Sequence, residues 1–129
     1  MTGGVPVRTS DAVSRDLEAG RPVVGLETAV LTHGLPKEPG PPPASIGHDE
    51  HVASCLGDHA WNDKQPINLE AVRAVSAAVR LAGARPAVIG VLDGVLVIGL
   101  DDAELVRLAE DADAVKASTR DLAPCALSG

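Results

Sequence analysis

The sequence has 129 residues, enough for one globular domain, and its composition already excludes some classes of function. A formal net charge of −7 opposes general binding to nucleic acid, which needs an excess of Lys and Arg to neutralise phosphates. The longest apolar stretch, residues 87–100, is interrupted by Asp93 and is too short to cross a bilayer. With no apolar leader and two widely separated cysteines, the sequence predicts a soluble cytoplasmic protein without nucleic-acid or membrane partners.

A short helix and then a strand are predicted near the amino terminus. The helix covers residues 9–20, because Ser10 or Thr9 can cap its start and Gly20 can end it. Its apolar face is marked by Val13 and Leu17. The next segment, residues 22–30, is short and rich in β-branched residues, which predicts a strand.

A long irregular connection separates this strand from the clearest helix. The connection, residues 36–66, is rich in proline, and segments of that length are usually functional, inserted or disordered. The helix follows over residues 68–83, with Asn68 as a suitable cap and Gly83 as a suitable end. One apolar stripe of this helix contains Leu69, Val72, Val75 and Val79.

The last third predicts a hairpin, a helix and the start of another strand. Two strands, residues 87–92 and 95–98, flank an Asp-Gly turn at 93–94. A helix with acidic residues in its first turn follows over 101–111, and residues 112–119 are predicted to begin a strand. This order predicts an α/β fold with α/β/α layers around one sheet. The strands are few for such a sheet, so we expect an incomplete part of a larger single domain.

Glu27 is the first candidate for chemistry, because it interrupts an apolar run at the end of a predicted strand. Ligands bind in the crevice beyond the carboxyl ends of strands in open α/β sheets, and a carboxylate there can serve as an acid or a base. The alternative is that Glu27 points into solvent or caps the next turn. Lys116 is the second candidate, since with Ser118, Thr119 and Arg120 it can hold a phosphate. The alternative for Lys116 is a solvated surface lysine.

A histidine-rich segment inside the proline-rich connection is the third candidate. Spacings of three, four and four would place its His and Cys side chains on one face of a helix, a conceivable zinc set. These residues are His48, His51, Cys55 and His59. Neighbouring glycines oppose a helix and the spacing matches no standard zinc finger, so we expect a solvated loop without a tightly bound metal.

Three blocks in order resemble the pseudouridine-5′-phosphate glycosidase family, also called indigoidine synthase A-like. They read RPVVGLETAVLTHGLP, NLEAVRAVSAAVRLAGARPAVIGVLDGVLVIGLDDAELVRLAED and AVKASTRDL. The blocks are similar to the amino-terminal part of the family and cover most of the chain outside the proline-rich connection. The resemblance implies an α/β/α sandwich that assembles as a homotrimer and uses a divalent metal, usually manganese.

The resemblance also implies an activity and roles for particular residues. The family cleaves the carbon–carbon glycosidic bond of pseudouridine 5′-phosphate, and its products are ribose 5-phosphate and uracil. By matching position, Glu27 is the proton donor and Lys116 contacts the substrate. Thr28, His33, Ser118 and Arg120 are possible supporting residues. The apolar surroundings of Glu27 in the sequence lead us to expect partial desolvation, which keeps an acid protonated longer.

Two functional groups of the family have no match in this sequence. Family members are thought to form an imine between a Lys and the opened ribose, and to bind the metal through an Asp. Both residues lie in the later half of the family pattern, beyond Gly129, so this chain contains no predicted metal ligand. The three lysines of the chain are Lys37, Lys64 and Lys116. We therefore expect a pseudouridine-5′-phosphate glycosidase-like protein that is inactive as this chain alone. The alternative is a truncated or decayed, non-catalytic copy that binds a sugar phosphate or associates with other subunits.

Overall fold

The structure is a computed structural model that describes residues 5–43, 60–118 and 120–121. Its elements in chain order are β1 (Val7–Thr9), α1 (Asp11–Glu18), β2 (Val23–Leu26), a π-helical turn (Val30–Gly34), α2 (Ile67–Leu81), β3 (Arg85–Leu92), β4 (Val95–Ile98) and α3 (Asp102–Glu110). Within the described ranges, every helix is too short or too polar to cross a bilayer. The three-residue strand β1 has no counterpart in the sequence-based prediction.

The four strands form one mixed sheet in the order β1-β4-β3-β2. β2 runs parallel to β3, β1 runs parallel to β4, and β3 and β4 are antiparallel. Leu92 pairs with Val95 across a two-residue turn in which Asp93 has φ 50° and Gly94 has φ 75°. Positive φ at both turn residues is what a tight hairpin requires, so the predicted hairpin is confirmed.

Side chains that alternate along β3 face two different helical layers. Val88 belongs to the main core, which the π-helical turn, α2 and α3 form on one face of the sheet. Arg85 lies on the opposite face, where its guanidinium binds the Asp16 carboxylate of α1. Helices therefore cover both faces, and the predicted α/β/α layering is confirmed. The core contains Leu31, Leu69, Val72, Val88, Val97, Leu100, Leu105, Leu108 and Ala109.

Helix α1 begins where the sequence predicts but buries a different residue. The Ser10 hydroxyl accepts a hydrogen bond from the Val13 amide at 3.4 Å, which confirms one of the two predicted caps. The prediction for Leu17 is wrong, because its side chain is 57% exposed, whereas Asp16 is buried. The guanidinium of Arg85, and after it that of Arg21, keeps the pKa of the Asp16 carboxyl below its usual value. Two arginines thus make a carboxylate acceptable at this position.

Helix α2 departs from the prediction at its start and along its stripe. Pro66, and not Asn68, occupies the capping position. Backbone carbonyls complete the first turn instead: Glu38 accepts from the Ile67 amide at 3.1 Å, and Pro36 accepts from the Asn68 amide at 3.0 Å. The prediction for Val75 is wrong as well, because this residue is 47% exposed.

The carboxyl end of α2 agrees with the prediction, whereas the last predicted strand does not form. Gly83 follows the cap residue Ala82 with φ 84°, as expected for a glycine that ends a helix. Residues 114–118 have no regular secondary structure, so the strand expected over 112–119 is wrong within the described positions. This segment forms one side of a cleft instead.

Gly99→Ala is expected to destabilise the fold more than Gly83→Ala, although both glycines have nearly equal positive φ, 88° and 84°. A Cβ at Gly99 would lie 2.4 Å from the Ser10 hydroxyl and 2.9 Å from Val13 Cγ2, whereas one at Gly83 meets nothing within 4 Å. Backbone strain alone costs about 1–2 kcal/mol, and the overlap at Gly99 adds about 1–3 kcal/mol. Urea unfolding of both variants measures the difference. Equal losses would contradict the packing described here.

Candidate functional site

A cleft of about 620 Å³ opens at the carboxyl ends of β2 and β3. Residues 25–29 form one wall, residues 113–117 form the other, and residues 89–93 form the floor. This is the edge at which open α/β sheets bind ligands, because the loops after the strands converge there. The cleft therefore lies where the candidate residues of the sequence were expected.

Glu27 and Thr28 lie on the first wall, directly after β2 ends at Leu26. The Thr28 carbonyl accepts from the amides of Leu31 at 3.0 Å and Thr32 at 3.1 Å, which fixes the chain where it leaves the sheet. The expectation that apolar neighbours in sequence desolvate Glu27 is wrong for the described residues, because its side chain is exposed. Glu27 follows the last residue of β2, Leu26, and the valines of that strand do not cover it.

Lys116 lies on the second wall and is exposed to the cleft. The fold thus brings this lysine, Glu27 and Thr28 to one cavity although Lys116 is far from the other two in sequence. Within the described part of the chain, no ion pair or hydrogen bond occupies the Lys116 ammonium group. An exposed, unengaged cation in a cleft is suited to an anionic group such as a phosphate.

The remaining predicted residues lie outside the cleft lining. His33 is exposed, and its Nδ1 lies 2.7 Å from the Thr32 hydroxyl. Ser118 donates from its amide and its hydroxyl to one carboxylate oxygen of Asp121, both at 2.7 Å, and these bonds lower the pKa of Asp121. Arg120 is exposed, and Thr119 lies outside the described residues. Ser118 therefore stabilises a local turn next to the wall that carries Lys116.

An ion pair at the edge of the cleft was not predicted from the sequence. Arg107 on α3 donates two hydrogen bonds to the Asp93 carboxylate of the hairpin turn, one of them 2.7 Å long. The Arg107 guanidinium lowers the pKa of Asp93, and the carboxylate in turn raises the pKa of Arg107. Asp111 and Asp113 also line the cleft. The only sequence signal for this pair was the Asp-Gly turn, which indicated the hairpin and not its partner.

Metal binding has no support among the residues that the structure describes. No group of three or more His, Cys, Asp or Glu side chains there is arranged to hold a metal ion. The predicted histidine cluster, His48, His51, Cys55 and His59, lies outside the described residues. The described side chains therefore do not fit a manganese site.

A smaller cavity of about 370 Å³ lies at the opposite end of β2 and β3. It is lined by Asp16 and three arginines, Arg21, Arg80 and Arg85. Two of these arginines are already bound to Asp16. The helices α1 and α2 end nearby, and cations at helix carboxyl ends offset the negative end of the dipole. Ion pairing with Asp16 and the helix carboxyl ends therefore account for these arginines without a ligand.

Comparison with known proteins places these features in a family. The family described as "Indigoidine synthase A like protein" matches residues 59–129. A pseudouridine-5′-phosphate glycosidase of Salinispora tropica is 41% identical over 142 aligned positions, which cover 98% of this chain and 35% of the relative. The enzyme of the same name from Roseobacter denitrificans is 34% identical, with 97% of this chain and 31% of the relative covered.

Two solved structures share the fold. One is the prealnumycin C-glycosynthase AlnA in complex with ribulose 5-phosphate, with a TM-score of 0.61 and 28% identity over 98% of this chain and 31% of that one. The other is an indigoidine synthase A-like protein from Thermotoga maritima, with a TM-score of 0.61 and 26% identity over 97% of this chain and 31% of that one. The chain spans about a third of the length of the relatives it matches.

Proposed function

The chain belongs to the indigoidine synthase A-like family, and we propose that its cleft binds a pentose 5-phosphate as part of a pseudouridine-5′-phosphate glycosidase site. One observation carries the proposal: Glu27 and Thr28 share a cavity with Lys116, whose charge is unengaged within the described chain. The names of the relatives, and the ribulose 5-phosphate held by one structural neighbour, support the same class of ligand.

The two walls of the cleft have separate roles in this proposal. Lys116 binds the phosphate as a point charge, and the Thr28 hydroxyl is available for a sugar hydroxyl. Glu27 gives a proton to the uracil carbon as the bond to ribose breaks. The electron pair of the broken bond stays with the uracil, so the ribose carbon is left electron-deficient. A lysine nitrogen elsewhere in a complete family member would stabilise that carbon by forming an imine with it.

Binding of ribose 5-phosphate to the full chain tests the proposal. We expect Lys116→Ala to weaken this binding at least about tenfold, because a hydrogen bond to a charged group is lost. Lys64→Ala is the matched control, since Lys64 is an exposed lysine that does not line the cleft. Isothermal titration calorimetry gives both affinities. Equal affinities of the two variants, or no binding by the unmodified chain, would contradict the proposed site.

A non-catalytic sugar-phosphate binder is the second candidate, and the lysines favour it. Lys37 donates its Nζ to the Asp111 carbonyl at 2.7 Å, and Lys64 lies outside the cleft lining, so Lys116 is the one lysine of this chain that lines the cleft. It cannot both bind the phosphate and form the imine. The manganese ion and the homotrimer implied by the family resemblance remain predictions for complete members.

A further inference from the structure

Asn68 joins two segments of backbone through a side chain that is 0% exposed. Its Nδ2 donates to the Leu31 carbonyl at 2.6 Å and to the Ala109 carbonyl at 3.4 Å. Its Oδ1 accepts from the Leu69 amide at 2.9 Å. Carbonyl oxygens only accept, so the amide nitrogen must face both of them, and the orientation of the side chain follows from its partners.

The two carbonyls belong to the segments that adjoin the two walls of the cleft. Leu31 lies in the π-helical turn that follows Glu27 and Thr28, and its amide is bonded to the Thr28 carbonyl. Ala109 lies in the last turn of α3, after which the chain runs directly to Lys116. The Asn68 side chain thus connects the π-helical turn next to the first wall with the end of α3 next to the second wall.

Neighbouring bonds strengthen the same connection. The Asn68 amide donates to the Pro36 carbonyl at 3.0 Å, which holds the segment that leaves the π-helical turn. The Lys37 ammonium donates to the Asp111 carbonyl at 2.7 Å and forms a second link between the two sides. Neither Asp, whose carboxylate donates no hydrogen bond, nor Ser, which is shorter, could replace Asn68 in reaching both carbonyls.

We infer that Asn68 is a positioning residue that sets the separation of Glu27 from Lys116. It does not touch a ligand; it acts by holding two backbone segments at a fixed distance beneath the cleft. The inference rests on the proposed function for the identity of the ligand, while the link between the walls is a property of the chain alone.

Amide hydrogen exchange in Asn68→Ser and Val72→Ala tests this inference. Val72 is a core residue of the same helix whose apolar side chain makes no hydrogen bond to either backbone segment. Its variant therefore controls for a general loss of stability. In Asn68→Ser we expect the amides of Leu31, Thr32, Ala109 and Glu110 to exchange about tenfold faster relative to those of β3, since the two segments lose the side chain that joins them. In Val72→Ala we expect the exchange rates of all amides to rise by the same factor. A common factor in both variants would overturn the inference.

Ribose 5-phosphate binding separates this inference from the proposed function. If the unmodified chain binds the ligand, Asn68→Ser should bind it at least about fivefold more weakly, and Val72→Ala within about twofold, at equal fraction folded. If the unmodified chain does not bind, the proposed function fails, and the exchange data still decide the role of Asn68. Should Asn68→Ser not fold, exchange of the Asn68 side-chain amide in the unmodified chain decides: protection equal to that of α2 supports the link, and free exchange overturns it.

Discussion

The 129-residue chain alone is expected to release no uracil from pseudouridine 5′-phosphate, with or without added manganese. Glu27 can give a proton, but the carbon–carbon bond stays intact unless a donor such as an imine-forming lysine nitrogen stabilises the electron-deficient ribose carbon that is left behind. Lys116 is the one lysine of the chain that lines the cleft, and the proposal assigns it to the phosphate. Chromatography of the reaction mixture measures uracil directly. Turnover with a borohydride-trapped adduct on Lys116 would contradict this account.

Reconstitution then measures the contribution of Glu27. We expect the remaining two thirds of the Salinispora tropica relative, added as a separate polypeptide, to supply the imine-forming Lys and the metal-binding Asp that the family resemblance implies. In an assembly that releases uracil, Glu27→Gln should lower turnover by about 10²–10⁴-fold, the usual range for a general acid. Glu18→Gln is the control, because Glu18 is exposed on α1 and outside the cleft lining. An equal effect of both substitutions would exclude Glu27 as the proton donor.

Leu31→Ala is expected to lower the free energy of unfolding by about 2–5 kcal/mol, the range for a buried leucine whose removal leaves a cavity. Leu31 is 0% exposed and lies in the main core, beneath the wall that carries Glu27. Leu17→Ala is the matched control and should change the free energy by less than about 0.5 kcal/mol, because Leu17 is 57% exposed. Urea unfolding followed by circular dichroism measures both. Equal shifts of the two midpoints would contradict the described core.

Local chemistry explains which elements could be predicted from the sequence. The Asp-Gly pair at 93–94 determines the hairpin because few other residues tolerate two positive φ angles. Helix α3 begins with a capping box in which Asp101 and Glu104 each accept from the other's amide. In both cases the residues that determine the element lie within a few positions of one another, so the local sequence is sufficient to predict it.

Distant partners explain where the sequence-based predictions fail. Asn is a common helix-capping residue, but the side-chain amide of Asn68 donates to the carbonyls of residues 31 and 109 instead. Asp16 replaces Leu17 on the buried side because Arg85, at the start of β3, neutralises it. In the same way, apolar neighbours along the chain did not indicate that Glu27 is exposed.

The candidate site was only partly accessible from sequence. Position after a strand singled out Glu27, and the basic, hydroxyl-rich segment singled out Lys116, but only the family resemblance gave them roles in one reaction. The fold supplies the shared cleft. The Arg107–Asp93 pair could not be foreseen, because it depends on how α3 packs against the hairpin.

A map of amide chemical-shift changes on adding ribose 5-phosphate to the ¹⁵N-labelled chain tests whether the cleft between Glu27 and Lys116 binds a pentose phosphate. We expect saturable changes at residues 25–29 and 113–117, the two walls of the cleft. Changes confined to the cavity with Arg21, Arg80 and Arg85 at the other end of the sheet, or no changes at all, would contradict it.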